Sequence, residues 1–239
     1  MEKKYKRLKI VTGMLILILI ACIYLLFRGG VVDKILVKLN FKEAETVNSI
    51  SEYTLSVWKE SLEKMDYDAD IVFFGDSITQ ASDFQEYFVA QRIVNLGVPG
   101  DDLEDMIART DMITMVSPEK IFVMGGINSF KSEDYDTCYE QYVELVEKIK
   151  EENPVAKIYL QSLLPISEER EEDFVSNEII RKFNEDIEVI AEMYGCTFIE
   201  LYDLMETDGY LDEKYSADGL HLTDEAYDVW AGAIAGYME

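Results

Sequence analysis

The chain contains a single histidine, His221, and it stands three residues after an aspartate in the run Asp218-Gly219-Leu220-His221. Far upstream, Ser77 follows Gly75-Asp76 at the end of an apolar run, Ile71 to Phe74. A serine hydroxyl is a poor nucleophile until a base removes its proton during attack, and neutral imidazole, with a pKa of about 6.5, suits that task at neutral pH. If Asp218 folds back to hold one ring nitrogen, the other nitrogen is free to face the serine. The tetrahedral intermediate then needs donors for its oxyanion. The backbone N–H groups of Ser77 and Gly97 and the side-chain amide of Asn128 are the candidates, Gly97 within Asn95-Leu96-Gly97 and Asn128 within Gly125-Gly126-Ile127-Asn128.

Each stretch alone has a plainer reading. Asp76 and Ser77 can cap a helix, Asp-x-x-His can be a hydrogen-bonded loop, Gly97 can begin a helix, and Gly125-Gly126 can allow two backbones to approach closely. What separates the readings is the set of elements that would hold the residues. Apolar runs at Ile71 to Phe74, Arg92 to Asn95, Lys120 to Met124, Lys157 to Gln161 and Thr197 to Glu200 predict strands. Between them lie helical patterns near 101–112, 133–151 and 173–194, with a last one near 224–237. Alternating strands and helices predict an α/β fold, a five-stranded parallel sheet in flavodoxin-like order covered on both faces. In such a sheet the strand carboxyl ends share one rim, where residues distant in sequence become neighbours.

Four blocks in this order resemble the SGNH (GDSL-type) hydrolases: Gly75-Asp76-Ser77-Ile78, Gly97 after Asn95-Leu96, Asn128 after Gly-Gly-Ile, and Asp218 with His221. The stretch Ile158 to Pro165, I-Y-L-Q-S-L-L-P, is similar to the fourth strand of bacterial members. The resemblance implies a three-layer α/β/α fold and serine esterase chemistry on acyl esters; such chemistry is expected to need neither metal nor cofactor. It implies Ser77 as nucleophile, His221 as base, Asp218 as orienting acid, and Ser77, Gly97 and Asn128 as the oxyanion hole. Many members carry Asp after the third-block Asn, where this chain has Ser129.

The chain has 239 residues and a formal net charge of -26, yet its first nine residues carry Lys3, Lys4, Lys6, Arg7 and Lys9 against Glu2. So acidic a body is repelled by phosphates, which excludes nucleic-acid binding. Residues 10–27 are free of charge. As a helix they would be roughly 27 Å long, about the hydrocarbon thickness of a bilayer. The expected organisation is a cytoplasmic basic tail at 1–9, a single transmembrane anchor at 10–27, a juxtamembrane helical linker at 28–66 packing through Trp58, and the hydrolase domain at 67–239 outside the cytoplasm. Leu19 to Cys22 also resembles a lipoprotein box, with Cys22 as the lipidated residue. Cys138 and Cys196 match no metal-binding spacing and are expected to be free thiols, with a bridge between them as the alternative. The acidic pairs Asp101-Asp102 and Glu104-Asp105 are expected to complement the dipole of a helix after Pro99-Gly100, and Glu168 to Asp173 to be a solvated loop. The expected substrates are small-acyl esters of glycans, or lipid esters. A surface-binding protein that keeps the fold, and an acyltransferase with the same triad, are the competing functions.

Overall fold

The computed structural model describes residues 52–64 and 68–239. Five strands, β1 (Ile71–Gly75), β2 (Ile93–Gly97), β3 (Lys120–Met124), β4 (Lys157–Gln161) and β5 (Thr197–Ile199), pair in parallel in the order β2-β1-β3-β4-β5. That is the flavodoxin-like order. β1 and β3 are buried at every position, as strands covered on both faces must be, so each reads as an unbroken apolar run.

The helices are α1 (Glu52–Glu63), α2 (Ser77–Gln80), α3 (Phe84–Tyr87), α4 (Leu103–Ala108), α5 (Asp111–Thr114), α6 (Tyr135–Glu152), α7 (Asn177–Tyr194), α8 (Tyr202–Met205) and α9 (Asp224–Ile234). A small antiparallel hairpin, Glu206–Thr207 with Tyr210–Leu211, precedes the triad loop. Side chains alternate across the sheet, and the aromatic residues make both faces legible. On one face Phe73, Phe122 and Tyr159 stack in register, and Phe84 of α3 covers Phe73 with its centroid 3.7 Å away. Trp230 of α9 meets Phe84 edge-on at 5.1 Å and donates from Nε1 to Gln161 Oε1. On the other face Phe74 lies 4.2 Å beneath the guanidinium of Arg109, and Tyr142 of α6 and Phe183 of α7 meet edge-on at 5.6 Å.

The long helices begin where a side chain can satisfy the first free N–H groups. Asp134, Ser176 and Thr223 cap α6, α7 and α9. Trp58 packs against the core, Leu62 is buried, and Lys59 pairs with Asp111 at 2.6 Å.

Several boundaries differ from expectation. The helix expected over 101–112 is two short helices, α4 and α5, because the chain turns at Arg109 to bury its guanidinium. α7 starts at Asn177 rather than 173, at the Ser176 cap, and Glu168–Arg170 forms a single 3₁₀ turn. β2 runs on to Gly97, and the last helix tightens into a 3₁₀ turn at Ala235–Tyr237. Cys138 and Cys196 are free, the first buried and the second half-buried. The expected basic tail, anchor and most of the linker lie outside the described residues. Among the described residues, no helix is long and apolar enough to cross a membrane.

Candidate active site

Ser77 opens α2 immediately after β1, and Asp76 caps that helix by accepting the Ile78 N–H at 2.9 Å. The serine thereby projects from the carboxyl rim of the sheet. His221 reaches it from the loop before α9: Ser77 Oγ lies 3.2 Å from His221 Nε2. Asp218 uses its two oxygens for different tasks. Oδ1 accepts the N–H groups of Leu220 and His221 at 3.0 and 2.8 Å, which folds the loop, and Oδ2 lies 2.7 Å from His221 Nδ1. The three-residue spacing between Asp218 and His221 is what allows one carboxylate to do both. Ser216 Oγ donates to the His221 carbonyl at 2.7 Å and closes the turn. Tyr227 of α9 donates its hydroxyl to the Ile78 carbonyl at 2.7 Å, fastening the histidine-bearing segment to the helix that begins with the serine.

Asn128 follows β3 on the same rim. Its Nδ2 donates to the Asp101 carbonyl at 2.9 Å and its Oδ1 accepts from Lys131 Nζ at 2.9 Å. These two bonds set the amide's orientation, and the second Nδ2 hydrogen meets no acceptor among the described residues. Ser129, at the position where an Asp was the alternative, accepts the Leu103 N–H at 2.9 Å and ties β3's exit to α4.

Gly97 is a correction to the expected donor set. Its N–H already donates to Asn95 Oδ1 at 2.9 Å, and the residue is buried. A Cβ there would collide with the Gln80 backbone, so glycine is required for the close passage of α2 over β2. Three residues on, Gly100 is half-buried and its N–H donates to no described group. It adjoins Asp101, whose carbonyl holds the Asn128 amide.

Asp101 is the second correction. It does not serve a helix dipole; Asp102 does the capping, accepting from Asp105 N–H at 2.9 Å. Asp101 instead pairs with Arg109 Nε, both side chains being almost fully enclosed. Arg109 also donates to the carbonyls of Leu96 and Gly75 at 2.8 Å each, so one guanidinium ties the ends of β1 and β2 to the loop beside Asn128. No motif in the sequence marks Arg109. Its one signal was an arginine amid apolar neighbours, eight positions after an aspartate.

The model of the GDSL-like lipase/acylhydrolase family matches residues 73–229, a span that holds every group just described. The chain belongs to this family. As a GDSL-type protein it is a hydrolase acting on carboxylic esters. Its fold is shared with a GDSL-like lipase from Bacteroides thetaiotaomicron (TM-score 0.68, 21% identity, covering 79% of this chain and 97% of that one). It is likewise shared with a lipase/acylhydrolase from Enterococcus faecalis (TM-score 0.61, 21% identity, 70% and 94%) and with an acetyl xylan esterase (TM-score 0.59, 22% identity, 70% and 98%). No curated protein sequence matches significantly. Among the described residues of this GDSL hydrolase, no group of three or more His, Cys, Asp or Glu side chains could hold a metal ion.

The electrostatics of the GDSL site separate its carboxylates. Partial burial pushes Asp218 up, but the imidazole and the two N–H groups outweigh it and hold the carboxyl well below the usual range. Asp218 therefore stays ionised and fixes the imidazole. Asp76, fully enclosed, is pushed up by burial to about 6, against the pull of the Ile78 N–H. A carboxyl raised in the folded state favours folding when protonated, so its contribution is complete below the unfolded value and is lost as pH rises through about 6. For one such group the loss between pH 5 and pH 8 is about 1.4 kcal/mol. The melting temperature of the wild type should therefore fall from pH 5 to pH 8 by more than that of Asp76→Asn. Equal slopes would show that Asp76 is not the titrating group.

Between Asp76 and Ile78, the two neighbours of Ser77, and Leu220 of the triad loop lies a tight crevice with room for about one water, its other walls being Met124, Gly125, Ile127 and the run Leu163 to Ile166. Two buried asparagines hold its wall. Asn184 exchanges hydrogen bonds with both backbone groups of Leu163, and Asn177 does the same with Ile166.

Proposed function

We propose that Ser77 attacks the ester carbonyl while His221 Nε2 takes its proton, with Asp218 holding the imidazole through Nδ1. The observation that carries this is the continuous line from Ser77 Oγ to His221 Nε2 (3.2 Å) and from His221 Nδ1 to Asp218 Oδ2 (2.7 Å). The oxyanion is received by the Ser77 N–H, the second Nδ2 hydrogen of Asn128 and the N–H of Gly100 in the place first expected of Gly97. His221 then returns the proton to the departing alcohol, and water, activated by the same imidazole, releases the acid from Ser77.

The substrates are small-acyl esters, such as acetyl groups on glycans. The crevice beside Ser77 supports this, since it is too tight for a long acyl chain, and so does the likeness in fold to an acetyl xylan esterase. The protein is held at a membrane by residues 10–27 with its catalytic domain outside the cytoplasm; the charge-free run behind a basic cluster supports that placement. Relative kcat/KM on 4-nitrophenyl acetate, butyrate and octanoate, with acetate release from acetylated xylo-oligosaccharides, tests the acyl preference. Acetate should be the best of the three esters, and acetate should leave the oligosaccharide. Rates rising through octanoate would favour a lipid-ester substrate instead.

A further inference from the structure

In a chain with 48 Asp and Glu against 22 Lys and Arg, two cations stand together beside the triad. Lys131 donates from Nζ to Asn128 Oδ1 at 2.9 Å and lies 4.6 Å from the centre of the Phe174 ring. Arg170 packs on the same ring, its Cζ 5.2 Å from the centre. The stem of Arg170 also covers the triad loop, because a Cβ on Gly219 would come within 2.9 Å of Arg170 Cγ. One ring thus carries one cation that touches the oxyanion amide and another that touches the turn between Asp218 and His221.

Neither charge is fully answered by the protein. Among the described residues Lys131 has no carboxylate within ion-pair distance, and a lysine ammonium has three donors, of which Asn128 takes one. Arg170 pairs through Nη1 with Asp173 at 2.8 Å, while its Nε is enclosed without an acceptor. Burial first, and then the neighbouring Arg170, hold the Lys131 amine below the ordinary lysine range against the pull of Asp76 and Asp173, so the two cations feel each other and share the field of Asp173. Packing alone gives no reason for this, since Phe174 could be covered by an apolar side chain or by one cation without the repulsion.

Resting on the esterase reading above, we infer that Lys131 and Arg170 are an anion-reading edge of the active site, and that the preferred substrate is a short acyl ester on a carboxylate- or phosphate-bearing alcohol. The charge belongs on the alcohol side because the crevice beside Ser77 is tight, and its one charged lining group, the Asp76 carboxyl, disfavours an anion. An anion seated there takes the unused donors and relieves the repulsion between the two side chains.

Three acetyl esters of one shape test this: 4-acetoxybenzoate, 4-acetoxyphenyl phosphate and the neutral 4-acetoxybenzamide. For each, kcat/KM is divided by the rate of hydroxide hydrolysis of the same ester to remove intrinsic reactivity. The wild-type ratio of at least one anionic ester to the neutral one should be tenfold or more, and whichever anion gives it is the group read. Lys131→Met and Arg170→Met should each bring the ratio towards one, and Lys131→Arg should keep it. The ratio is internal to each variant, so a general loss of activity through Asn128 does not mimic the effect, and a thermal melt checks folding. Wild-type ratios of one or below, or a ratio unmoved by both substitutions, overturn the inference and leave the esterase reading standing. Failure to turn over any of the three esters overturns both.

Discussion

Replacing His221 by Ala lowers kcat for ester hydrolysis by about 10⁴-fold to 10⁶-fold, with KM and melting temperature little changed. The size of the effect follows from the composition: the chain holds no second histidine, so no other imidazole can swing in to accept the Ser77 proton. The small effect on stability follows from exposure. His221 is exposed, and substitutions at exposed sites usually shift stability by about 0.5 kcal/mol or less. Steady-state kinetics on an aryl acetate, with a thermal melt on the same sample, separate the two effects. A variant within tenfold of wild type would mean that some other group takes the proton.

Asp218→Asn is expected to cost about 10⁴-fold in kcat while leaving the loop folded. The asparagine Oδ1 can still accept the N–H groups of Leu220 and His221, as Asp218 Oδ1 does. Its Nδ2, placed where Oδ2 now meets His221 Nδ1, must donate to that ring nitrogen. The imidazole proton is thereby forced onto Nε2, the nitrogen that faces Ser77, and the base has no lone pair left for the serine hydroxyl. Asp218→Ala removes the loop's hydrogen bonds as well, so it should lose both activity and stability. An Asn variant that keeps more than a tenth of the wild-type rate would remove Asp218 from the mechanism.

Local sequence foretold most of the scaffold. β1 and β3 were legible because a strand buried on both faces must be apolar throughout, and α7 because Ile180, Phe183, Ile187 and Ile190 recur at helical spacing on its buried side. The Asp218–His221 pair was legible because its geometry is settled within four residues. What escaped was set by contacts between distant segments. Asp101 reads as one more acid at a helix start, and only the approach of Arg109 from the far end of α4 turns it inward. Gly97 reads as a free donor until Asn95, two residues earlier on the same strand, bends back to take its N–H. The pairing of Lys131 with Arg170 across Phe174 joins the segments after β3 and β4, and no local pattern announces it.

The central claim, that the Ser77 hydroxyl is the nucleophile, is tested most directly by covalent capture. The full-length protein is treated with a fluorophosphonate and the modified peptide is identified by mass spectrometry. One phosphonyl group per chain is expected, carried on Ser77, lost in Ser77→Ala and strongly slowed in His221→Ala. An adduct on another residue, or ester hydrolysis that persists in Ser77→Ala, would contradict it.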